Sequence, residues 1–229
     1  MKQKYWGLSL SALFTVAALG SAETIEPFNG KDLSGWQAKG PAARNAWKVG
    51  KAVMDPKNPR NLLVEEGGTD LVNSKGHGLD FYTVQKFGDC RIELDVMVPK
   101  GSNSGVYVMG EYEVQVLDSF GRKKLGMGDM GAIYSAAAPK VNATKPPGQW
   151  QTYLIEFRAP RFDDAGKKTE NAQFLKVVLN GTVLHENIEM KGKTPGGVRG
   201  RESATGPIMF QGNHGPVAYR NIRITPTVK

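Results

Sequence analysis

The segment from Asn103 to Asp118 concentrates side chains that could handle a sugar. Read by parity as two strands, Val106 and Val108 share one face, while Asn103, Gly105, Tyr107 and Met109 share the other. Met109-Gly110-Glu111 then turns the chain. In the second strand Tyr112, Val114 and Val116 face one side, and Glu113, Gln115 and Leu117 the other. Placing the valines in a core leaves Asn103, Tyr107, Glu113 and Gln115 together on the opposite, exposed face, where cross-strand neighbours lie about 4.5–5.5 Å apart at Cβ. An aromatic ring beside a carboxylate and an amide suits a ligand with apolar C–H patches and many hydroxyls. By composition alone, an ordinary solvent-facing sheet surface is an equal alternative. Asp118 ends its strand and can serve the ligand or cap a turn.

The C-terminal part adds polar groups by the same logic. Ile208 and Phe210 point inward, which turns Met209 and Gln211 to the other face. Gln211-Gly212-Asn213-His214-Gly215-Pro216 then turns tightly into the last strand. A histidine held in such a turn can present an imidazole that works near neutral pH, the alternative being a purely structural turn histidine. His77 and His185 read as plain surface residues, His185 on an exposed hairpin strand. Cys90 is the only cysteine, so no intramolecular disulfide forms. It alternates with Ile92, Leu94 and Val96 against Arg91, Glu93 and Asp95, the period of a half-buried strand, and reads as a core filler.

Short strands must position these groups. The strongest strand patterns are 89–98, 104–109, 112–117, 151–157, 174–179, 207–211 and 217–224, with weaker ones at 47–49, 61–64 and 80–82. Asn180-Gly181 between Val177–Leu179 and Val183–His185 is a two-residue hairpin signal. The 28 glycines and 13 prolines fall between these runs, and no stretch keeps a helical period for three turns. Many short strands with regular turns predict an all-β sandwich or barrel in one domain. Two insertions, Phe120–Met130 and Lys191–Gly206, read as loops able to frame a site. Arg161–Asn171 reads as a solvated hairpin tip.

The first 22 residues stand apart from that fold. Lys2 and Lys4 precede the apolar run Leu8–Leu19, and Gly20-Ser21-Ala22 offers a cleavage site before Glu23, the pattern of a secretory signal peptide. Removal leaves residues 23–229, 207 residues (229 minus 22), for a single domain exported to the periplasm or secreted. Losing the two lysines lowers the net charge from +8 to +6. The remaining charges are interleaved, and only Arg122-Lys123-Lys124 clusters, so neither nucleic acid nor a membrane span is expected. No cofactor is expected, since no His/Cys/Asp/Glu cluster has zinc-type spacing. A divalent cation such as calcium, held by loop carbonyls and Asp residues, would leave little trace in a sequence and stays open.

Blocks along nearly the whole mature length resemble the 3-keto-disaccharide hydrolase family. They are Phe28-Asn29-Gly30-Lys31-Asp32-Leu33-Ser34-Gly35-Trp36, Phe87-Gly88-Asp89, Asn103-Ser104-Gly105-Val106-Tyr107 and Tyr112-Glu113-Val114-Gln115-Val116-Leu117-Asp118. They continue with Gly131-Ala132-Ile133-Tyr134, Lys145-Pro146-Pro147-Gly148-Gln149-Trp150, His214-Gly215-Pro216-Val217 and Arg220-Asn221-Ile222-Arg223-Ile224. The resemblance implies a concanavalin A-like jelly-roll β-sandwich with a concave sugar-binding face. It also implies action on 3-keto-glycosides, as a 1,2-lyase or as a hydratase of the resulting 3-keto-2-hydroxy-glucal, with a carbohydrate substrate supplied by a sugar 3-oxidoreductase. On that mapping Glu113 and His214 share the roles of base and acid. Gln115, Gln211 and Arg220 contact hydroxyls or the enolate, Asn103 and Asp118 join them in binding substrate, and Tyr107 and Tyr134 stack on the ring. Arg220 shares the parity of Ile222 and Ile224, which would point it inward. Asn213 stands where members of that family often carry Asp, so any charge supplied to the histidine from that position is absent.

Two other readings compete. In an ordinary glycosidase paired carboxylates do the work, and Glu111-Tyr112-Glu113-Val114-Gln115 spaces its odd positions about 6.8 Å apart. Yet Glu111 falls at the turn and Gln115 cannot transfer protons. A lectin-like binding protein is the second, because a sandwich serves binding as readily as catalysis.

Overall fold

The computed structural model describes residues 22–227. The expected signal peptide therefore falls, but for Ala22, outside the described residues. In chain order the strands are β1 (Trp36–Ala38), β2 (Trp47–Met54), β3 (Leu62–Asn73), β4 (Phe81–Thr83), β5 (Cys90–Met97), β6 (Asn103–Val108) and β7 (Tyr112–Leu117). They continue with β8 (Gln151–Arg158), β9 (Arg161–Phe162), β10 (Lys168–Glu170), β11 (Ala172–Leu179), β12 (Thr182–Met190), β13 (Met209–Phe210) and β14 (Val217–Pro226). The helical content among the described residues is a 3-10 turn at Ala42–Arg44.

Two antiparallel sheets face each other as a jelly-roll sandwich. One has five strands in the order β1-β4-β13-β6-β7, the other seven in the order β12-β11-β8-β5-β14-β3-β2. The core between them takes the residues that alternation selects: Ile92, Leu94 and Val96 from β5, Val106 and Val108 from β6, and Tyr112, Val114 and Val116 from β7. Cys90 is buried among them, and burial pushes its thiol up to about 12, so it fills space and does not react at neutral pH. At one end of the core, aromatic rings bind the sheets together. Phe210 of β13 stacks on Tyr219 of β14 at 3.8 Å, Trp36 packs on Phe81 and Phe210, and Trp47 on Phe81.

The Asn180-Gly181 turn joins β11 to β12 with both residues at positive φ, 51° and 80°, the geometry that a two-residue hairpin with right-handed strand twist requires. The polar excursion at 161–171 makes the small sheet β9–β10, tied back by Arg161 to Asp89 at 2.6 Å. Two expectations change. The weak pattern at 61–64 is part of a twelve-residue strand, because β3 continues past a bulge opposite Gly50 and Lys51 and pairs with β14 from Leu71 to Asn73. In β14 a second irregularity between Arg220 and Arg223, with Asn221 at φ 52°, breaks the alternation. Tyr219 and Ile222 both face the core, while Arg220 turns to the outer surface. There it stacks on Trp150 at 4.1 Å and pairs with Asp95 at 3.3 Å. A bulge inserts one residue and so flips every parity assignment beyond it.

The Phe210–Tyr219 stack links the two sheets through fully buried rings. Phe210→Ala is expected to lower stability by about 3–5 kcal/mol, read as a shift of the urea unfolding midpoint with unchanged m-value.

Candidate active site

The floor of the site is the outward face of the β6–β7 hairpin. Tyr107 pairs with Glu113 and Gly105 with Gln115 across the ladder. The Glu113 carboxyl lies over Gly105: a Cβ there would stand 2.2 Å from Glu113 Oε1. Glycine is therefore a steric requirement of the carboxyl's position. The Tyr107 hydroxyl donates to Glu113 Oε2 at 2.7 Å and lies 3.2 Å from the Pro195 carbonyl oxygen. A phenol has one proton. With Glu113 ionised that proton serves the carboxylate; with Glu113 protonated the phenol can turn to Pro195 and accept from the acid. Next along, Gln115 Nε2 donates to Asn103 Oδ1 at 2.9 Å.

β7 is the last strand of its sheet, yet its free edge is covered on both sides of Glu113. The segment 131–134 runs beside it, Gln115 N donating to Ala132 O and Tyr134 N to Glu113 O, which brings the Tyr134 ring to the rim. The Glu113 N–H goes to Thr194 Oγ1 at 2.9 Å. That threonine begins a loop folded over Tyr107: Gly196, at φ 86°, is so close that a Cβ would lie 2.6 Å from the Tyr107 oxygen. Glu111 serves the same loop, its Oε1 accepting the Arg199 N–H at 2.7 Å with Gly197 packed against its carboxyl.

The opposite wall follows β13. Gln211 N donates to Gly105 O at 3.0 Å, and Ser104 Oγ donates to Gln211 O at 2.7 Å. The turn beyond is clamped by Asn73 Nδ2 on Gly212 O at 2.6 Å and by Ser102 Oγ on Pro216 O at 2.5 Å. His214 stands exposed on this turn with Nδ1 hydrogen-bonded to Asn213 Oδ1. With the Asn213 amide oxygen as acceptor, the tautomer that satisfies this contact carries its proton on Nδ1 and its lone pair on Nε2.

These walls enclose a cavity of about 170 Å³ lined by Asn103, Tyr107, Glu113, Gln115, Gln211 and His214, with Tyr134, Pro195 and Gly196 at its mouth. A second cavity of about 360 Å³ adjoins it across Tyr134 and Pro195. Burial raises Glu113 to about 7 and the charge of Asp80 adds to that, while the Tyr107 hydrogen bond pulls the other way. Burial, followed by the charge of Glu113, raises Tyr107 far beyond its ordinary range, so it stays a donor. Gln115 Oε1 and Gln211 Oε1 are buried without a hydrogen-bond partner. Two such acceptors in one cavity are unusual, because buried polar atoms are normally satisfied, and ligand hydroxyls would satisfy them.

The family model of the 3-keto-alpha-glucoside-1,2-lyase-like domain matches residues 23–225. The chain belongs to this family. A crystal structure from Parabacteroides distasonis, provisionally assigned as a glycosyl hydrolase, superposes with a TM-score of 0.70 at 30% identity, covering 89% of this chain and 84% of that one. A second structure from the same organism with the same provisional assignment has a TM-score of 0.62 at 18% identity, covering 90% of this chain and 94% of that one, and speaks to the fold. No curated protein matches the sequence. Family and relatives place the chain among glycosyl hydrolase-like, carbohydrate-active proteins.

Of the residues expected at the site of this family member, Asn103, Tyr107, Glu113, Gln115, Tyr134, Gln211 and His214 line one cavity. Asp118 lies apart from that lining: its carboxylate accepts from Gly101 N at 2.8 Å and Phe120 N at 3.3 Å, closing turns at the strand end. Arg220 is on the outer surface of the seven-stranded sheet, for the bulge reason given above. Tyr107 is 2% exposed, so its ring is a floor beneath the acid and offers no face for stacking; Tyr134, half-buried at the rim, retains one. The shared face is also buried, because the loop from Thr194 and the segment 131–134 cover it. His185 is likewise not a surface residue. It is 2% exposed and bonds Gly131 O at 2.9 Å, and burial lowers its pKa. The chain around Gly131 and Lys140 packs on the strand that the sequence leaves bare, with Lys140 N donating to Leu184 O. Pro195, Gly196, Lys39 and Asp80 were missed, and only the glycines of 191–206 gave any sign of them. Among the described residues no group of three His, Cys, Asp or Glu side chains converges as a metal site.

Gly105→Ala is expected to fold but to displace the Glu113 carboxyl, with at least a tenfold loss of ligand affinity or turnover. A second expectation concerns pH. A carboxyl raised from 4.5 to about 7 in the folded state favours folding when protonated, and that contribution is lost as pH climbs through about 7. Glu113→Gln should therefore gain thermal stability relative to the wild type between pH 5 and pH 8, followed by calorimetry; a difference flat across that window would contradict the raised pKa.

Proposed function

We propose that this protein cleaves 3-keto-glycosides by 1,2-elimination followed by hydration, with His214 as base and Glu113 as acid. The observation that carries this reading is the pairing, in one cavity, of a buried carboxyl held near neutral pKa with an imidazole whose Nε2 lone pair is left available. A ketone at carbon 3 acidifies the hydrogen on carbon 2. His214 Nε2 takes that proton, and the electrons pass into the carbon 3 oxygen as an enolate. The side-chain amides of Gln115 and Gln211 can donate to that oxygen, and their unpartnered carbonyl oxygens suit ring hydroxyls. As the ketone re-forms, the double bond moves to carbons 1 and 2 and the bond from carbon 1 to the aglycone oxygen breaks. Glu113 gives its proton to that oxygen, leaving alcohol and 3-keto-2-hydroxy-glucal.

Hydration reverses the proton traffic. The Glu113 carboxylate removes a proton from water as it adds to carbon 1, and the His214 imidazolium returns a proton to carbon 2. Both groups end as they began, and the net change is hydrolysis. The larger cavity beyond Tyr134 lies on the side of the acid and gives room for the leaving group. Export through the leader at residues 1–22, and supply of the keto-sugar by a sugar 3-oxidoreductase, complete the proposal.

A paired-carboxylate glycosidase finds less support, since Glu111 is engaged with the Arg199 backbone and Glu113 is the one carboxylate among the cavity's lining residues. Lectin-like binding is favoured by one feature, the neutral amide of Asn213 behind His214, which holds the ring but brings no charge of its own.

Each proton-transfer group should contribute about 10²–10⁴-fold to rate. Glu113→Gln and His214→Ala are each expected to reduce turnover of a 3-keto-glucoside by that factor, with the glucal intermediate followed by absorbance. If both variants stay within threefold of wild type, the assignment is wrong. Tight binding with an unchanged ligand by mass spectrometry would favour the lectin-like reading.

A further inference from the structure

Between the two walls runs a connection that the acid–base reading does not use. Asp80, just before β4, is 7% exposed. Its Oδ1 accepts the backbone N–H of Gly212 at 3.1 Å, two residues from His214, and its Oδ2 faces Lys39 Nζ at 3.5 Å. Lys39 follows β1 and is fixed beside Asp80 by the backbone bond from Lys39 N to Asp80 O at 2.8 Å. Its ammonium donates to Gly196 O at 2.7 Å, and Gly196 is the residue pressed against the Tyr107 hydroxyl. From there the Tyr107–Glu113 bond completes the route. A series of contacts, polar except where Gly196 packs on the Tyr107 hydroxyl beside the Pro195 carbonyl at 3.2 Å, thus joins the turn carrying the imidazole to the floor carrying the carboxyl, through one buried acid and one half-buried lysine.

We infer that Lys39 and Asp80 act as a positioning pair: they hold the His214 turn and the Gly196 loop in register, and their charges bias the proton on Glu113 in opposite directions. Neither residue belongs to the cavity lining, and neither exchanges a proton with the ligand. The argument is geometric first. Asp80 spends one oxygen on the Gly212 backbone and turns the other to Lys39, whose ammonium holds the Gly196 loop, so the pair together spans both walls. The electrostatic part follows by sign. A negative charge near Glu113 favours its protonated form and a positive charge the ionised form. The other groups around the Glu113 carboxyl are Tyr107 from β6, Tyr134 from the segment beside β7, Tyr219 from β14 and His214 from the turn before β14. Burial raises Tyr107 and Tyr219 far above their ordinary range, so both stay neutral. Asp80 and Lys39 bring an acidic and a basic side chain to this surround from outside the cavity lining.

The inference deepens the acid role given to Glu113 and rests on it, so its test separates the two. The carbonyl stretch of the protonated Glu113 carboxyl, assigned by its loss in Glu113→Gln, is titrated by infrared difference spectroscopy in the full chain without ligand. Asp80→Asn keeps an acceptor for Gly212 and removes the charge; Lys39→Met removes the ammonium. The titration midpoint should fall in Asp80→Asn and rise in Lys39→Met, each by on the order of half a pH unit. Simple loosening of the site would move both variants the same way. Lys39→Arg should restore the midpoint and the affinity. Turnover of methyl 3-keto-glucoside adds the second readout: the alkaline limb of the kcat profile should follow the midpoint, and Lys39→Met should also raise KM as Gly196 is released. Shifts of the same sign, or none, in folded variants would overturn the inference. A wild type without turnover would remove the chemical reading alone, while the midpoints would still decide the coupling.

Discussion

The site rests on the burial of one carboxyl, Glu113, against one phenol. Taking a carboxylate out of water is unfavourable unless it is hydrogen-bonded or protonated, and here both escapes are provided. Tyr107 supplies a hydrogen bond at 2.7 Å, of a kind worth about 1.5–3 kcal/mol when the acceptor is charged. The raised pKa supplies the second, letting the group take a proton near neutrality. The surrounding backbone is arranged around this pair. Gly105 vacates the space beneath the carboxyl, Gly196 closes over the phenol, and Thr194 takes the N–H of Glu113 itself.

That arrangement depends on a scaffold able to hold it. The seven-stranded sheet and the Trp36–Phe81–Phe210–Tyr219 ring cluster fix β13 against β14. Because β13 is only two residues long, its pairing with β4 and β6 would register poorly without those rings. Ser104 makes the link explicit, since its hydroxyl meets both Gln211 O and the Tyr219 hydroxyl. Core packing and the wall that carries His214 are thus one construction. The edge of β7 is handled in the same economical way: the strand that carries the acid is the one that would be left unpaired, and the segments covering it also supply Tyr134 and the Gly196 lid.

The chemistry gains from asymmetry. A carboxyl buried near neutral pKa and an exposed imidazole with one nitrogen already committed differ in every respect that sorts an acid from a base. Two carboxylates of a retaining or inverting glycosidase would need an opposite partner across the cavity, and the nearest one in sequence, Glu111, is turned away to the loop backbone. The two unpartnered amide oxygens match a ligand rich in hydroxyls.

Alternation was enough to put the valines of β6 and β7 inside and Asn103, Tyr107, Glu113 and Gln115 on one shared face, since side chains alternate strictly along any regular strand. It also placed Cys90 in the core, and the Asn-Gly turn where positive φ is needed at both residues. The same rule failed at Arg220, because a bulge is a one-residue insertion in pairing that leaves no mark on composition. Local pattern was also silent on cover. It left the site face and His185 open to solvent, and both are buried by segments far away in the chain, 131–134 and 191–206. Lys39 and Asp80 are ordinary charged residues in sequence, some 40 positions apart, and only the pairing of β1 with β4 sets them side by side. The sequence by itself determined which residues share a face and which small residues could let something approach. What lies on that face, how deeply Glu113 is buried, and therefore where its proton sits, was decided only by tertiary structure, because burial and field depend on neighbours that no local spacing encodes.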